Sequence, residues 1–446
     1  MSQRCLSFVH RLQWADVPEH ARHAARRALL DLLGVAASAM STSLSQMIRQ
    51  HAVMCFASPE QGARILFDGR PVSAPGAALA GGSSIDAIDA HDGYKPAKGH
   101  VGCGVLPALL AYAEYAEMNA QEFLTCLVIG YEFGSRAGDA LHGSVCDYHT
   151  SGAWVAVTTA ALGGRVLALS DEQCREAMGV AEYHGPRSQM MRCIDHPTMV
   201  KDGSGWGAMA GVSAALLARE GFTGAPALTV ESPAVACYWA DLGHRWLVDE
   251  QYTKPYPVCR WAQPAVVAAL ALKATHGFAA ADIEQLELLS FHESVRLSTA
   301  EPTTTEQAQY SLPFPVAAAL VHGRVGVAQI SEAGLADAQV LALSRNTILI
   351  EHEPYNKPFP QKRISSVRVR LRDGREFDSG PTEAAGDPED PFSDSVISEK
   401  FFEFAEPALG SARAKKLHDV VWALGEKKSD NLHELQQLIY APVKNA

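Results

Sequence analysis

Apolar residues recur at three- and four-residue intervals through much of the first 255 residues, the spacing of one helical face. Leu29, Leu32, Leu33 and Ala36 follow it, as do Leu106, Leu109, Leu110, Ala113 and Ala116. Asn119 followed by Glu122 predicts a capped start for the helix "QEFLTCLVIGYEFG". Ser170 followed by Gln173 predicts another for "DEQCREAMGVA". The stretch "GAMAGVSAALLARE" predicts a long helix whose small residues admit a close neighbour. Long Ala- and Gly-rich helices joined by short loops predict an antiparallel helical core.

The period shifts after about residue 255. "LELLSF" (286–291) and "NTILIEHE" (346–353) have the character of strands. In "SSVRVRLRDGREFDSG", Val367, Val369 and Leu371 alternate with Arg368, Arg370 and Arg372, and Asp373-Gly374 supplies a turn. The three arginines predict a solvated strand face. Helical stretches at 264–275 and 314–322 lie between the strands, and "SGPTEAAGDPEDPFSDS" (379–395) has the composition of a linker. The tail, with "KKLHDVVWALGEK" and "NLHELQQLIYA", is helical again. The pattern predicts a mainly α protein: a large helical domain (1–255), an inserted smaller α+β domain (256–395) and a helical return (396–446).

Composition narrows the function classes. A net charge of −12 argues against nucleic acid and anionic membrane surfaces, which select basic patches. It leaves room for an anionic small molecule at a locally basic site. No run of 18 apolar residues suggests a membrane span, and the N-terminus lacks a signal-peptide core. The nine cysteines are scattered singly without zinc or iron–sulfur spacing, which predicts free thiols in a reducing cytoplasm and no metal.

Titratable groups crowd into one loop, "DAIDAHDGYKPAKGHVGCG", from Asp86 to Gly104. Most charged loops are only solvated connections. This one runs into an apolar helix, "GVLPALLAYAE", whose first-turn N–H groups are a natural seat for a carboxylate. Asp89 and His100 can fold back on each other, the carboxylate orienting the imidazole. Three further clusters follow. His149 lies in "CDYHTSGAW", where a cap or a satisfied polar group is the commoner role. Arg187, Arg192, His196 and Lys201 surround a Gly-rich turn in "GPRSQMMRCIDHPTMVKDGSGWG", where Asp202 to Ser204 also fit a plain turn and N-cap. Lys254 and Arg260, in "YTKPYPVCRWAQP", stand where the helical pattern gives way to strands. Met190 and Met191 are read as core. There is no Walker loop, no G-x-G-x-x-G and no G-x-S-x-G, so nucleotide binding and a serine hydrolase are disfavoured.

Taken in order, "ALLDLLGVAASA", "AALAGGSSIDAIDAHDGYKPAKGHVGCGVLPALLAYAE", "HTSGAWVAVTTAAL", "MVKDGSGWGAMAGVSAALLAREGFTG", "YTKPYPVCRWAQP" and "AQYSLPFPVAAALVHG" resemble the MmgE/PrpD family across nearly the whole chain. The family includes 2-methylcitrate dehydratase, cis-aconitate decarboxylase and iminodisuccinate epimerase. The resemblance implies a helical domain with an inserted lid domain, a homodimer, no cofactor, and a polycarboxylate site between the domains. It places catalytic roles on Asp89, His100, His149 and Lys201. It places Asp92 and Lys254 among the substrate-binding positions, and the cations Lys95, Lys98, Arg187 and Arg192 of this sequence would add positive charge for substrate carboxylates.

The chain departs from the family at four positions. Asp86 stands where members often have histidine, His91 where they have aspartate, Gln263 where many have histidine, and Phe314 where many have a tyrosine able to donate a proton. Fewer acids weigh against dehydration, and overall likeness is greatest to the iminodisuccinate epimerase. The expected activity is therefore epimerisation, by proton abstraction at the carbon beside a carboxylate of a substrate such as iminodisuccinate. A polycarboxylate lyase is the alternative, and a non-catalytic polycarboxylate-binding protein a more distant one.

Overall fold

The computed structural model describes residues 2–58, 62–426 and 431–443. Its larger part is a bundle of helices packed through small side chains. Helices Ala74–Asp86, Gly102–Tyr112, Gly152–Val166 and Ser204–Arg219 pack together at the centre. Leu29, Leu32, Leu33 and Ala36 are all buried on helix Glu19–Ala39, as their spacing predicts. Asn119 caps helix Ala120–Ser144 by accepting from the Glu122 N–H at 2.8 Å. Ser170 and Gln173 form the full reciprocal box at the start of Asp171–His184.

The expected close approach lies between Gly152–Val166 and Ser204–Arg219. A Cβ on Gly211 would stand 2.0 Å from Thr159 Oγ1 and 2.2 Å from the Ala156 carbonyl oxygen. Only glycine permits that spacing. It matters because the loops at the starts of these two helices carry His149 and Lys201.

The smaller part is an α+β unit. Its four strands lie in the spatial order Thr347–Glu351, Ile283–Ser290, Ser365–Leu371, Glu376–Asp378. The first pair is parallel and the others antiparallel, with Leu288 opposite Leu349 on one side and Val367 on the other. Val367, Val369 and Leu371 are buried, while Arg368, Arg370 and Arg372 face solvent. Helix Gln263–His276 covers the strand Ser365–Leu371 and packs on Pro313–His322.

The acidic stretch 379–395 is more than a linker. Arg260 donates to the Ala384 and Ala385 carbonyls and pairs with Asp387 at 2.7 Å. Thr253 N–H donates to the Gly386 carbonyl at 2.8 Å. The stretch is thus a strap tied to the segment where the chain enters the α+β unit. Helix Asp394–Leu409 then packs on Glu19–Ala39, with Lys400 Nζ 2.5 Å from Asp31 Oδ1. Helices Ser411–Trp422 and Leu432–Tyr440 complete the tail, and Lys427, the end of the stretch read as helical, lies outside the described residues. No single helix among the described residues is long and apolar enough to cross a membrane.

Overpacking the glycine contact tests this architecture. Gly211→Val is expected to cost about 1–3 kcal/mol, read as a lower urea-unfolding midpoint, whereas Gly277→Ala, with nothing within 4 Å of its Cβ position, is governed by its φ of +62° alone.

Candidate active site

The crowded loop is held by a two-residue antiparallel pairing, Gly93 with Tyr252 and Tyr94 with Gln251. That pairing sets Lys254 against Asp89. The Lys254 ammonium bonds the Asp89 carboxylate and lies 3.3 Å from its carbonyl oxygen, and both side chains are buried. Burial alone would raise Asp89. Lys254, followed by Lys201, His100 and His91, outweighs it and holds the carboxyl well below the usual range. Burial would likewise lower Lys254, but Asp89 keeps its pKa raised.

Asp89 was expected to orient His100, but the structure gives that task to a different group. His100 Nδ1 lies 2.6 Å from the Asp92 carbonyl oxygen, and the His100 N–H donates to Ser151 Oγ at 2.8 Å. A carbonyl only accepts, so Nδ1 carries the proton and Nε2 keeps its lone pair. Gly93 makes room for the ring: a Cβ there would stand 2.8 Å from His100 Nδ1. Burial, then the charges of Lys254 and His91, pushes the imidazole well below its ordinary value. His100 is a neutral base with a free nitrogen.

Lys201 meets this wall through a residue that sequence reasoning did not single out. Its ammonium donates to Gln309 Oε1, and the same oxygen accepts the Asp89 N–H at 3.0 Å. Gln309 Nε2 donates to the Ala87 carbonyl at 3.0 Å and to Thr305 Oγ1 at 2.9 Å, which fixes the orientation of the amide. Gln309 belongs to the "AQYSLP" segment that carried the family likeness, yet a lone glutamine signals nothing by type. The Lys201 ammonium also lies 4.7 Å from the Tyr310 ring centroid. Its backbone takes a left-handed conformation, φ +48°, one that costs a side-chain-bearing residue energy and persists only when its surroundings enforce it.

Two of the departures from the family meet each other. Asp86 Oδ1 and His91 Nε2 are 3.3 Å apart, and Asp89 Oδ1 is 4.0 Å from the same nitrogen. The carboxylate and the imidazole at these two positions share one contact. The His91 ring meets the His100 ring edge-on at 4.4 Å between centroids. Gln263, at the third departure, ties the turn after Lys254 by donating to the Tyr256 and Val258 carbonyls at 3.0 Å each. Phe314, at the fourth, is buried and apolar.

The remaining candidates are more dispersed. Asp92 accepts from the Tyr131 hydroxyl, and its Oδ1 lies 2.8 Å from where a Gly102 Cβ would be. The chain's own carboxylate therefore sits at the helix start that seemed to offer a seat for a ligand. Burial raises Asp92 to about 6. Lys95 is taken up by Asp387 at 3.0 Å and Glu389 at 2.9 Å, on the strap. Lys98 rests 4.6 Å from the Tyr148 ring centroid, and burial lowers its pKa. His149 is buried with no partner for Nδ1, and burial, then Arg187, lowers it; among the described residues it makes no hydrogen bond to Asp89, His100 or Lys201. Arg187 and Arg192 are exposed.

Asp202, first read as part of a turn, accepts from both the hydroxyl and the N–H of Ser151, and its own N–H donates to Asp86 Oδ2 at 3.2 Å. Burial, then the Asp86 charge, raises it to about 8. A cavity of about 180 Å³ between helices Ser43–Cys55, Ala74–Asp86 and Ser204–Arg219 is lined by Lys201 and Asp86 and rimmed by the exposed Met47 and Val200. Among the described residues no three of His, Cys, Asp and Glu come together as metal ligands.

Residues 3–236 match the MmgE/PrpD N-terminal domain, and residues 256–426 match the MmgE/PrpD C-terminal domain. The cis-aconitate decarboxylase-like protein oryM of Aspergillus oryzae is 23% identical, with 97% of this chain and 96% of that protein aligned. Cis-aconitate decarboxylase of Aspergillus terreus is 24% identical over 96% of this chain and 94% of its own length. The human enzyme of that name is 22% identical over 93% and 89% respectively.

The raised value of Asp202 makes a pH prediction. A folded-state pKa near 8, above that of an unfolded aspartate, means the folded chain holds this proton more tightly. The resulting stability is complete below about pH 4 and is lost as pH rises towards 8. Asp202→Asn, which mimics the protonated form, is expected to melt progressively closer to, or above, the wild type between pH 5 and 8, checked by thermal unfolding across that range.

Proposed function

The chain belongs to the MmgE/PrpD family, and from that premise we propose that it is a cofactor-independent enzyme generating a carbanion beside a carboxylate of a polycarboxylate. One observation carries the proposal. Among the described residues, a neutral histidine whose Nε2 makes no hydrogen bond and an ammonium bonded to a neutral amide are gathered around one buried Asp89–Lys254 pair.

The chemistry follows from those groups. A carbon next to a carboxylate is a very weak acid, because its conjugate base puts a second negative charge on the same carboxylate. Fixed cations lower that barrier most when water is excluded. Lys201 and Lys254 are buried cations of this kind. His100 Nε2 takes the carbon-bound proton and becomes an imidazolium; the electron pair left on carbon delocalises into the carboxylate as an enolate. Lys201 is assigned to the opposite face, where its ammonium returns a proton to the carbon and completes inversion. His149 is a weaker candidate for that role, since it makes no bond to the cluster. Asp89 keeps Lys254 charged, and the Asp92 carbonyl fixes the tautomer of His100.

At the finer level we propose an epimerase acting on a dicarboxylate such as iminodisuccinate. The buried apolar Phe314, where a proton-donating tyrosine would favour elimination, supports it. Decarboxylation is the second reading, supported by the names of the relatives. There the carbanion forms by loss of carbon dioxide, and the Lys201 ammonium supplies the proton to carbon. Family likeness supports a homodimer with the smaller unit as a lid, and nine free cysteines support a cytoplasmic setting.

Incubating the protein in heavy water with iminodisuccinate, cis-aconitate and a hydroxytricarboxylate, followed by NMR, separates the outcomes. Epimerisation places deuterium on the α-carbon without changing composition. Decarboxylation releases carbon dioxide, and dehydration creates an alkene. His100→Ala and Lys201→Ala are each expected to slow turnover by about 10²-fold or more. Near-normal rates in both variants would reject these roles, and binding without exchange would make the protein a carrier.

A further inference from the structure

Two arginines lie over the ring of Tyr252, and they are bonded very differently. Arg260, 5.0 Å from the ring centroid, is fully occupied: it donates to Gln263, Ala384 and Ala385 and pairs with Asp387. Arg363, 5.1 Å from the same centroid, makes no hydrogen bond or ion pair among the described residues. It is only 4% exposed, and its Nε and Nη1 are buried with no acceptor. A buried guanidinium ordinarily has carboxylate or carbonyl partners, because leaving its five N–H donors dry forfeits the hydration they had in the unfolded chain. Packing against a ring face recovers only part of that loss.

We propose that Arg363 is the anchor for a second carboxylate of the substrate, one remote from the reacting carbon. This rests on the polycarboxylate reading above and extends it, because it requires a ligand with two separated carboxylates. The surroundings fit that ligand. Tyr252 joins Arg363 to the reaction centre: its ring lies 6.3 Å from that of His100, and its strand leads directly to Lys254. Lys98 is a second cation nearby: burial lowers its pKa, Glu293 opposes that, and the Arg363 charge adds to the lowering. Asp387, an acid whose pKa the Arg363 charge helps to lower, is already held by Arg260 and Lys95. A planar guanidinium with parallel N–H donors matches a carboxylate in a two-pronged bond, which a lysine does not reproduce. Arg363 lies in the α+β unit and Tyr252 and Lys98 before it in the chain, so a ligand bound here bridges the two parts.

The test uses the full chain and tricarballylate, an unreactive tricarboxylate, titrated calorimetrically into wild type, Arg363→Gln and Arg363→Met. Both variants are expected to bind at least 10-fold more weakly. Their thermal midpoints are expected to match or exceed the wild type, because the substitution removes an unpaired buried charge. That combination separates a ligand anchor from a structural arginine. Unchanged affinity overturns the proposal, as does an affinity loss accompanied by a lower midpoint. If the wild type itself binds neither tricarballylate nor succinate, the polycarboxylate reading fails first, and the failure is distinguishable from that of Arg363.

Discussion

The ion pair between Asp89 and Lys254 is the contact on which the site depends. Both groups are buried, so each would be costly alone, and removing either partner of such a pair commonly costs about 3–5 kcal/mol. Together they fasten the loop 86–100 to the turn that follows Tyr252, and they keep one acid and one amine charged where water is scarce. Because Lys254 satisfies Asp89, the carboxylate does not need His100, and the imidazole is free to be held by a backbone carbonyl instead. A neutral His100 can then stand beside the charged Asp89–Lys254 pair. If Asp89 bonded His100 directly, the imidazole would be drawn towards its charged form.

Much of the fold was legible because the two periods differ so plainly. A three- and four-residue stripe marks the helices around Leu29 and Leu106, and the Val–Arg alternation from 367 to 372 marks a strand with one buried face. The character of 379–395 was not legible. Proline, glycine and acidic residues suit a solvated linker, but Asp387 is the acceptor for a buried arginine more than 100 residues away. Composition cannot report a long-range partner.

The site was legible by region rather than by bond. Asp89, His100, Lys201 and Lys254 do come together, since each lies in a segment whose residue types are unusual for its surroundings. What joins them was hidden. Gln309 is an ordinary residue on a short helix, and its amide becomes meaningful only when Lys201 and Asp89 converge on one oxygen. Asp86 and His91 read as two separate losses until the structure shows them 3.3 Å apart. Arg363 carried no pattern at all, because what distinguishes it is an absence of partners.

The chain leaves the helical bundle near Lys254 and rejoins it at helix Asp394–Leu409, which packs on Glu19–Ala39. The α+β unit is consequently moored at both ends, and the strap binds its outgoing and returning strands to each other through Arg260 and Asp387. Gln309 and Arg363 both belong to this doubly tethered unit, so the amide that meets Lys201 and the guanidinium that lies over Tyr252 come to the bundle on a single body.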